Sequence, residues 1–159
     1  MAGRDLYRTV IRTVFAVLFI VGGFTHIVLG RLVPEAYAVF GENALFPALA
    51  EFWDTTVMPQ IGWVTLAQAA IELACGIGLL RHGLRVRLAA AVIIVMLAAQ
   101  SLIGLGVTEA DPLTDVLVNR VTPLVLLVLV IPLLTGPSPA PFGEKWRRLL
   151  TSRSPRAAA

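Results

Sequence analysis

The sequence predicts an all-α integral membrane protein, a four-helix bundle with both termini cytoplasmic and a long, outward-facing first loop. Three observations predict it. Hydrophobic residues make up 57% of the 159 positions and charged residues only 14%, against about 25% charged in an ordinary soluble domain. The apolar residues fall into four long runs, each near the ~20 residues that a helix needs to cross a bilayer. The bases gather at alternate ends of those runs, as the positive-inside rule requires. The expected spans are about 9–30, 58–80, 86–106 and 115–135, within a membrane domain of residues 1–143. Residues 144–159 are expected to form a basic cytoplasmic tail, partly disordered.

The first span opens on Arg4, Arg8 and Arg12 and continues as VFAVLFIVGGFTHIVL. A basic start before an apolar run also opens a signal peptide. This run is long for one, and no A-x-A site closes it, so it is expected to remain as a span. The connection from Arg31 to Val57 holds Glu35, Glu42, Glu51 and Asp54 against the single base Arg31. It also holds Tyr37, Phe40, Phe46, Phe52 and Trp53, rings suited to the membrane–water interface. PEAYAVF and ALFPALAEFW have helical periodicity, which predicts one or two interfacial helical turns. A lid packed on the bundle fits the same residues.

The second span carries Glu72 in an otherwise apolar stretch, followed by a short turn with Arg81, Arg85 and Arg87. The third is rich in Ala, Val and Ile until Gln100 and Ser101. An acidic connection with Glu109, Asp111 and Asp115 leads to the fourth span. That span holds Asn119 and Arg120 early and Pro123 and Pro132 inside; neighbouring groups must re-satisfy the backbone that proline frees. The bases then place both termini and the second connection in the cytoplasm, which demands an even number of spans.

Several classes of function fall away. The net charge of +3 belongs to span ends, so nucleic acid is not an expected partner. The single cysteine, Cys75, excludes a disulfide within the chain and any CxxC motif; it is expected to be a small core residue. No Gly-rich phosphate loop or Ser/His/Asp arrangement is visible. His26 and His82 fall on opposite sides of the membrane and cannot share a haem iron. No metal site and no covalent cofactor is expected.

The remaining polar residues carry the chemistry. A helical rise of about 1.5 Å per residue puts His26, Gln68, Gln100, Asn119 and Arg120 in the outer half of their spans, with Glu72 at its lower edge. Such residues face the bundle interior, pair, or mark a pathway. One reading is an outward-opening polar pocket. Arg120 would supply a permanent charge, Glu72 a carboxyl and His26 a titratable imidazole. This set suits a quinone headgroup, and equally an anionic lipid or a small sulfur oxyanion. The other reading is a Glu72–Arg120 ion pair, direct or bridged by Gln68, that registers spans two and four. Gly22, Gly23, Gly76 and Gly78 are expected to allow close helix packing.

The run IELACGIGLLRHGLRVRLAAAV resembles the second-span signature of the DoxX family. That signature is a Glu, a small residue soon after, Gly-x-Gly-Leu-Leu, a short basic turn, then Ala-Ala opening the third span. LFIVGGFTHIVLGRLVPEAY is similar to DoxX-like first spans, and TGPSPAPFG to the family's Gly-Pro-rich exit from the fourth. The resemblance covers about Val14 to Gly143. It implies a four-helix bundle in a bacterial plasma membrane, and for some relatives a place in thiosulfate:quinone oxidoreductase or a membrane-tethered redox complex. The expected function is therefore a small membrane subunit of a redox-linked complex. It would bind a quinone or lipid in the outer-half pocket and work with protein partners. A non-enzymatic assembly factor or scaffold is the alternative, and a small transporter a further one.

Overall fold

In the computed structural model, residues 2–109 and 111–135 are described, with side chains from Leu6 onward. The expected exit from the fourth span and the basic tail beyond it lie outside these residues. Every element among the described residues is helical. The helices are α1 (Ala2–Leu32), α2 (Val39–Glu42), α3 (Pro47–Phe52), α4 (Ile61–Leu80), α5 (Leu84–Ile103), α6 (Pro112–Val116) and α7 (Thr122–Val130). Four helical stretches are long and apolar enough to cross a membrane: Leu6–Leu32, Pro47–Leu80, Leu84–Ile103 and Pro112–Leu133. This is a multi-pass membrane protein.

Exposure supports that reading independently of length. Phe24 is 59% exposed, Val95 68% and Val128 61%. Large apolar side chains turned outward along whole helices would be untenable in water and are ordinary against lipid. Because lipid is as apolar as leucine, close packing must hold the helices together. The α1–α4 pair shows how. A Cβ at Gly23 would lie 2.8 Å from Leu73 Cγ, and one at Gly76 would lie 3.0 Å from the Ala16 carbonyl oxygen. Only glycine at both places lets the two backbones come this near. α5 packs on the other side of α4, and α7 packs on α5.

The bundle has two unlike halves. At the end with the Arg81–Gly83 turn, Phe15, Leu79, Val86, Ile93, Val130 and Leu133 form a dry core. Here Arg12, only 4% exposed, crosses from α1 to α4. Its guanidinium donates to the Leu79 and Arg81 carbonyls, satisfying groups left over where α4 ends. At the other end, a second small cluster of Tyr37, Val57 and Ile61, joined by Phe40 and Trp53, forms a roof.

The element bounds differ from expectation in instructive ways. α1 begins at Ala2 rather than near residue 9, because the arginines before the apolar run continue its helix. The second span is preceded by helical structure from Pro47. That 34-residue stretch would be roughly 51 Å long at about 1.5 Å per residue, against a hydrocarbon core of about 30 Å. Such a stretch exceeds the core and must tilt or extend beyond it. α5 stops at Ile103 because Gly104 takes φ +83°. The fourth stretch starts earlier than expected, at Pro112, because the Asp111 carboxylate caps it by accepting the Thr114 N–H at 2.8 Å.

Two prolines of the spanning stretches, Pro59 and Pro123, are absorbed in the same way. A π-helical turn at Trp53–Val57 precedes Pro59, and another at Leu117–Val121 precedes Pro123. Met58 N–H reaches Trp53 O, and Thr122 N–H reaches Leu117 O. The proline ring excludes an ordinary turn beneath it, and widening by one residue restores a partner. The Thr122 hydroxyl adds a bond to Leu117 O at 3.0 Å.

Candidate functional site

Glu72 and Gln68 stand one turn apart on α4, and the Gln68 amide donates to Glu72 Oε1 at 2.9 Å. α1 supplies two matching features one turn apart. His26 Nε2 lies 3.3 Å from the same Oε1. Gly22 leaves room for the other oxygen: a Cβ there would stand 2.6 Å from Glu72 Oε2. The carboxyl is thus clasped between an imidazole and a notch. It is 9% exposed, and Oε2 is buried without a hydrogen bond.

The roof completes the chain. Tyr37, on the turn Pro34–Ala38, places its hydroxyl 2.6 Å from His26 Nδ1. Trp53 Nε1 donates to the Tyr37 carbonyl at 2.9 Å, fixing that turn against the start of the second span. Rings of Tyr37, Phe40 and Trp53 contact one another in sequence at 5.9 and 5.5 Å. Burial, and then the negative charge of Glu72, hold the Tyr37 phenol above its ordinary value. It therefore keeps its proton, and its hydroxyl can donate to Nδ1 or accept from it according to the state of the imidazole. The other ring nitrogen, Nε2, is the one that faces the Glu72 carboxyl. Tyr37, His26, Glu72 and Gln68 form one continuous line of polar contacts across three parts of the chain.

This line forms one wall of a cavity of about 410 Å³, within the ~300–1,000 Å³ range of small-molecule sites. Gln100 faces it from α5, while Phe19, Met96 and Leu97 supply apolar surface. Phe40 and Trp53 belong to the roof. No residue of the fourth span lines it. The cavity can offer polar groups to one end of a molecule and apolar surface to the rest.

Four of the six residues singled out from sequence, His26, Gln68, Glu72 and Gln100, line this cavity. Asn119 and Arg120 do not. Asn119 is fully buried and clamps the connection after α5. It accepts from Leu105 N–H at 2.8 Å and donates to Val107 O at 2.8 Å and Asp115 Oδ1 at 2.7 Å. The expected Glu72–Arg120 pair does not form; among the described residues Glu72 pairs with His26. The Arg120 guanidinium donates to Ser101 O at 3.3 Å and to Asn43 O. The π-helical turn that holds Asn119 and Arg120 directs one to the loop and the other to the end of α5.

Sequence reasoning missed Tyr37 and Trp53 as site residues, reading them as interfacial rings. The available signal was one polar-tipped ring eleven positions after His26, beyond a Pro-Glu turn. It missed Arg12 as a cap because a base before a span also satisfies the topology rule.

Among the described residues, no group of three or more His, Cys, Asp or Glu side chains could hold a metal ion. Cys75 is buried in the dry core. No protein-family model matches the chain, and no curated protein or solved structure matches it significantly.

Proposed function

We propose that this protein is a small DoxX-like subunit of a redox-linked complex in a bacterial plasma membrane, with both termini cytoplasmic. In this reading the cavity binds a quinone. The carrying observation is the two-sided cavity: the Tyr37–His26–Glu72–Gln68 line on one wall, and Phe19, Met96 and Leu97 on others. A quinone has carbonyl oxygens that accept hydrogen bonds, on a ring and tail that prefer apolar contact. Gln68 and Gln100 each have amide protons for such a carbonyl. In this reading electrons would pass to the quinone from a partner subunit.

Titration of the purified protein with decylubiquinone, read by quenching of tryptophan fluorescence, tests this. Trp53 borders the cavity, so saturable quenching is expected, and Gln68→Leu with Gln100→Leu should weaken it at least tenfold. Quenching that is linear and unchanged in the double variant would contradict the reading. A phospholipid acyl chain is the second candidate occupant, favoured by the apolar part of the lining. It would appear as co-purified lipid that decylubiquinone fails to displace.

A further inference from the structure

The titratable groups lining the cavity are His26 from α1, Glu72 from α4 and Tyr37 from the roof. α5 contributes Gln100, which is neutral, and the fourth span contributes no lining group. Arg120 is engaged with Ser101 O and Asn43 O. Arg12 sits at the opposite end of the bundle on α4's final carbonyls. Cys75, one turn from Glu72, is in the dry core. Asp54, close to Gly41, is exposed outside the cavity. Tyr37 keeps its proton, so the charge of the cavity wall rests on His26 and Glu72 alone.

That pair has two accessible charges. With neutral imidazole and ionised carboxylate, the wall carries one negative charge. With one more proton, on either residue, the wall is neutral overall: an imidazolium–carboxylate pair or two uncharged groups. The two residues share a contact of 3.3 Å, so the added proton belongs to the pair rather than to one site. Water that fills a cavity of this size would stabilise the negative state. An apolar occupant that expels this water removes that solvation, and an uncompensated buried charge becomes costly.

We infer that His26 and Glu72 form a proton-holding pair whose charge is coupled to occupancy, so that a neutral ligand entering the cavity draws in up to one proton. This rests on the proposed quinone site and adds the regulation of that site. Binding alone moves the proton; the ligand is neither oxidised nor reduced. Glu72 Oε2 is already buried without a partner, so the water that an occupant expels acts on the pair through Oε1 and the imidazole. The sign follows from linkage: the bound state holds more protons, so binding tightens as pH falls, by up to about tenfold per pH unit at one proton per ligand.

The test is calorimetric titration of the full-length protein, in phosphatidylcholine nanodiscs, with decylubiquinone. Two buffers of different ionisation enthalpy are used at each pH between 5 and 8. Their difference in apparent heat gives the protons taken up per ligand. The expected result is an uptake of several tenths to one proton somewhere in that range, with Kd falling as pH falls. Glu72→Gln keeps a side chain of similar shape and should bind with an uptake near zero. His26→Gln serves the same purpose if Glu72→Gln does not fold. Saturable binding of wild-type protein with equal heats in both buffers and a flat Kd overturns this inference and leaves the quinone site standing. No binding heat at any pH overturns the quinone site and the inference with it.

Discussion

The hydroxyl of Tyr37 stands 2.6 Å from Nδ1 of His26, and that contact fastens the roof to the first span. It links a turn between the first two spanning stretches to a carboxyl inside the second, since the same imidazole meets Glu72 through its other nitrogen. Tyr37→Phe should cost about 1 kcal/mol, the usual net worth of one hydrogen bond. In a His26→Phe background the same change should cost far less, because the partner is already gone. Unfolding in mixed micelles, read as a double-mutant cycle, checks this; additive losses would show that the two side chains do not couple.

Arg12 secures the opposite end. Arg12→Ala removes donors from the Leu79 and Arg81 carbonyls and should destabilise by roughly 2–3 kcal/mol, as for hydrogen bonds from a charged group. Arg12→Lys should recover only part of the loss, since an ammonium lacks the planar fork. The exposed Arg85 provides the comparison: Arg85→Ala should change stability by no more than about 0.5 kcal/mol. Equal losses for Arg12→Ala and Arg85→Ala would sink the capping role.

The glycines divide into those that hold a distance and those that do not. Gly22→Ala sets a methyl 2.6 Å from Glu72 Oε2, so the carboxyl must move and ligand binding should fall. Gly62 has open space around its Cβ position. Gly62→Ala should leave binding unchanged and stabilise by roughly 0.5–1 kcal/mol, the ordinary gain of alanine within a helix. Thermal melts and quinone titrations of the two variants separate these effects.

A pH effect is expected where the fourth helical stretch begins. The Asp111 carboxyl is held below its ordinary value, chiefly by the Thr114 backbone N–H and then by the Thr114 hydroxyl. A depressed carboxylate stabilises the folded form above its unfolded value and loses that contribution as pH falls through the folded one. Below about pH 4, the ordinary carboxylate range, the first turn of α6 should loosen. Amide exchange at Thr114 should accelerate there, and Asp111→Asn should reduce the pH dependence. Exchange that tracks only the intrinsic chemical rate through this range would refute the cap.

Much of the fold was legible because a bilayer imposes few choices. Runs near the required length have to be helices, and four appeared. Glu72 was legible as a site residue because a lone carboxyl in an apolar span needs a partner. Its partner was not. Arg120 looked suitable by depth and charge, but depth along a helix does not fix direction around it. The π-helical turn before Pro123 alters that direction, and sequence periodicity assumes a regular 3.6-residue turn. His26 reaches Glu72 through a glycine-lined contact between α1 and α4, a closeness that helix spacing alone does not specify, whereas Gln68 stands one turn from Glu72 on α4 itself. The roof was hidden for another reason: interfacial rings and rings that cover a cavity have the same composition.

The central claim is that the space between α1, α4, α5 and the roof receives a quinone. Photolabelling with an azido-quinone in nanodiscs, followed by peptide mapping, tests it most directly. The account predicts label on Met96, Gln68 or Trp53, competed away by excess decylubiquinone. Label confined to lipid-facing positions such as Val28, Val95 and Val128, and indifferent to competitor, would contradict it.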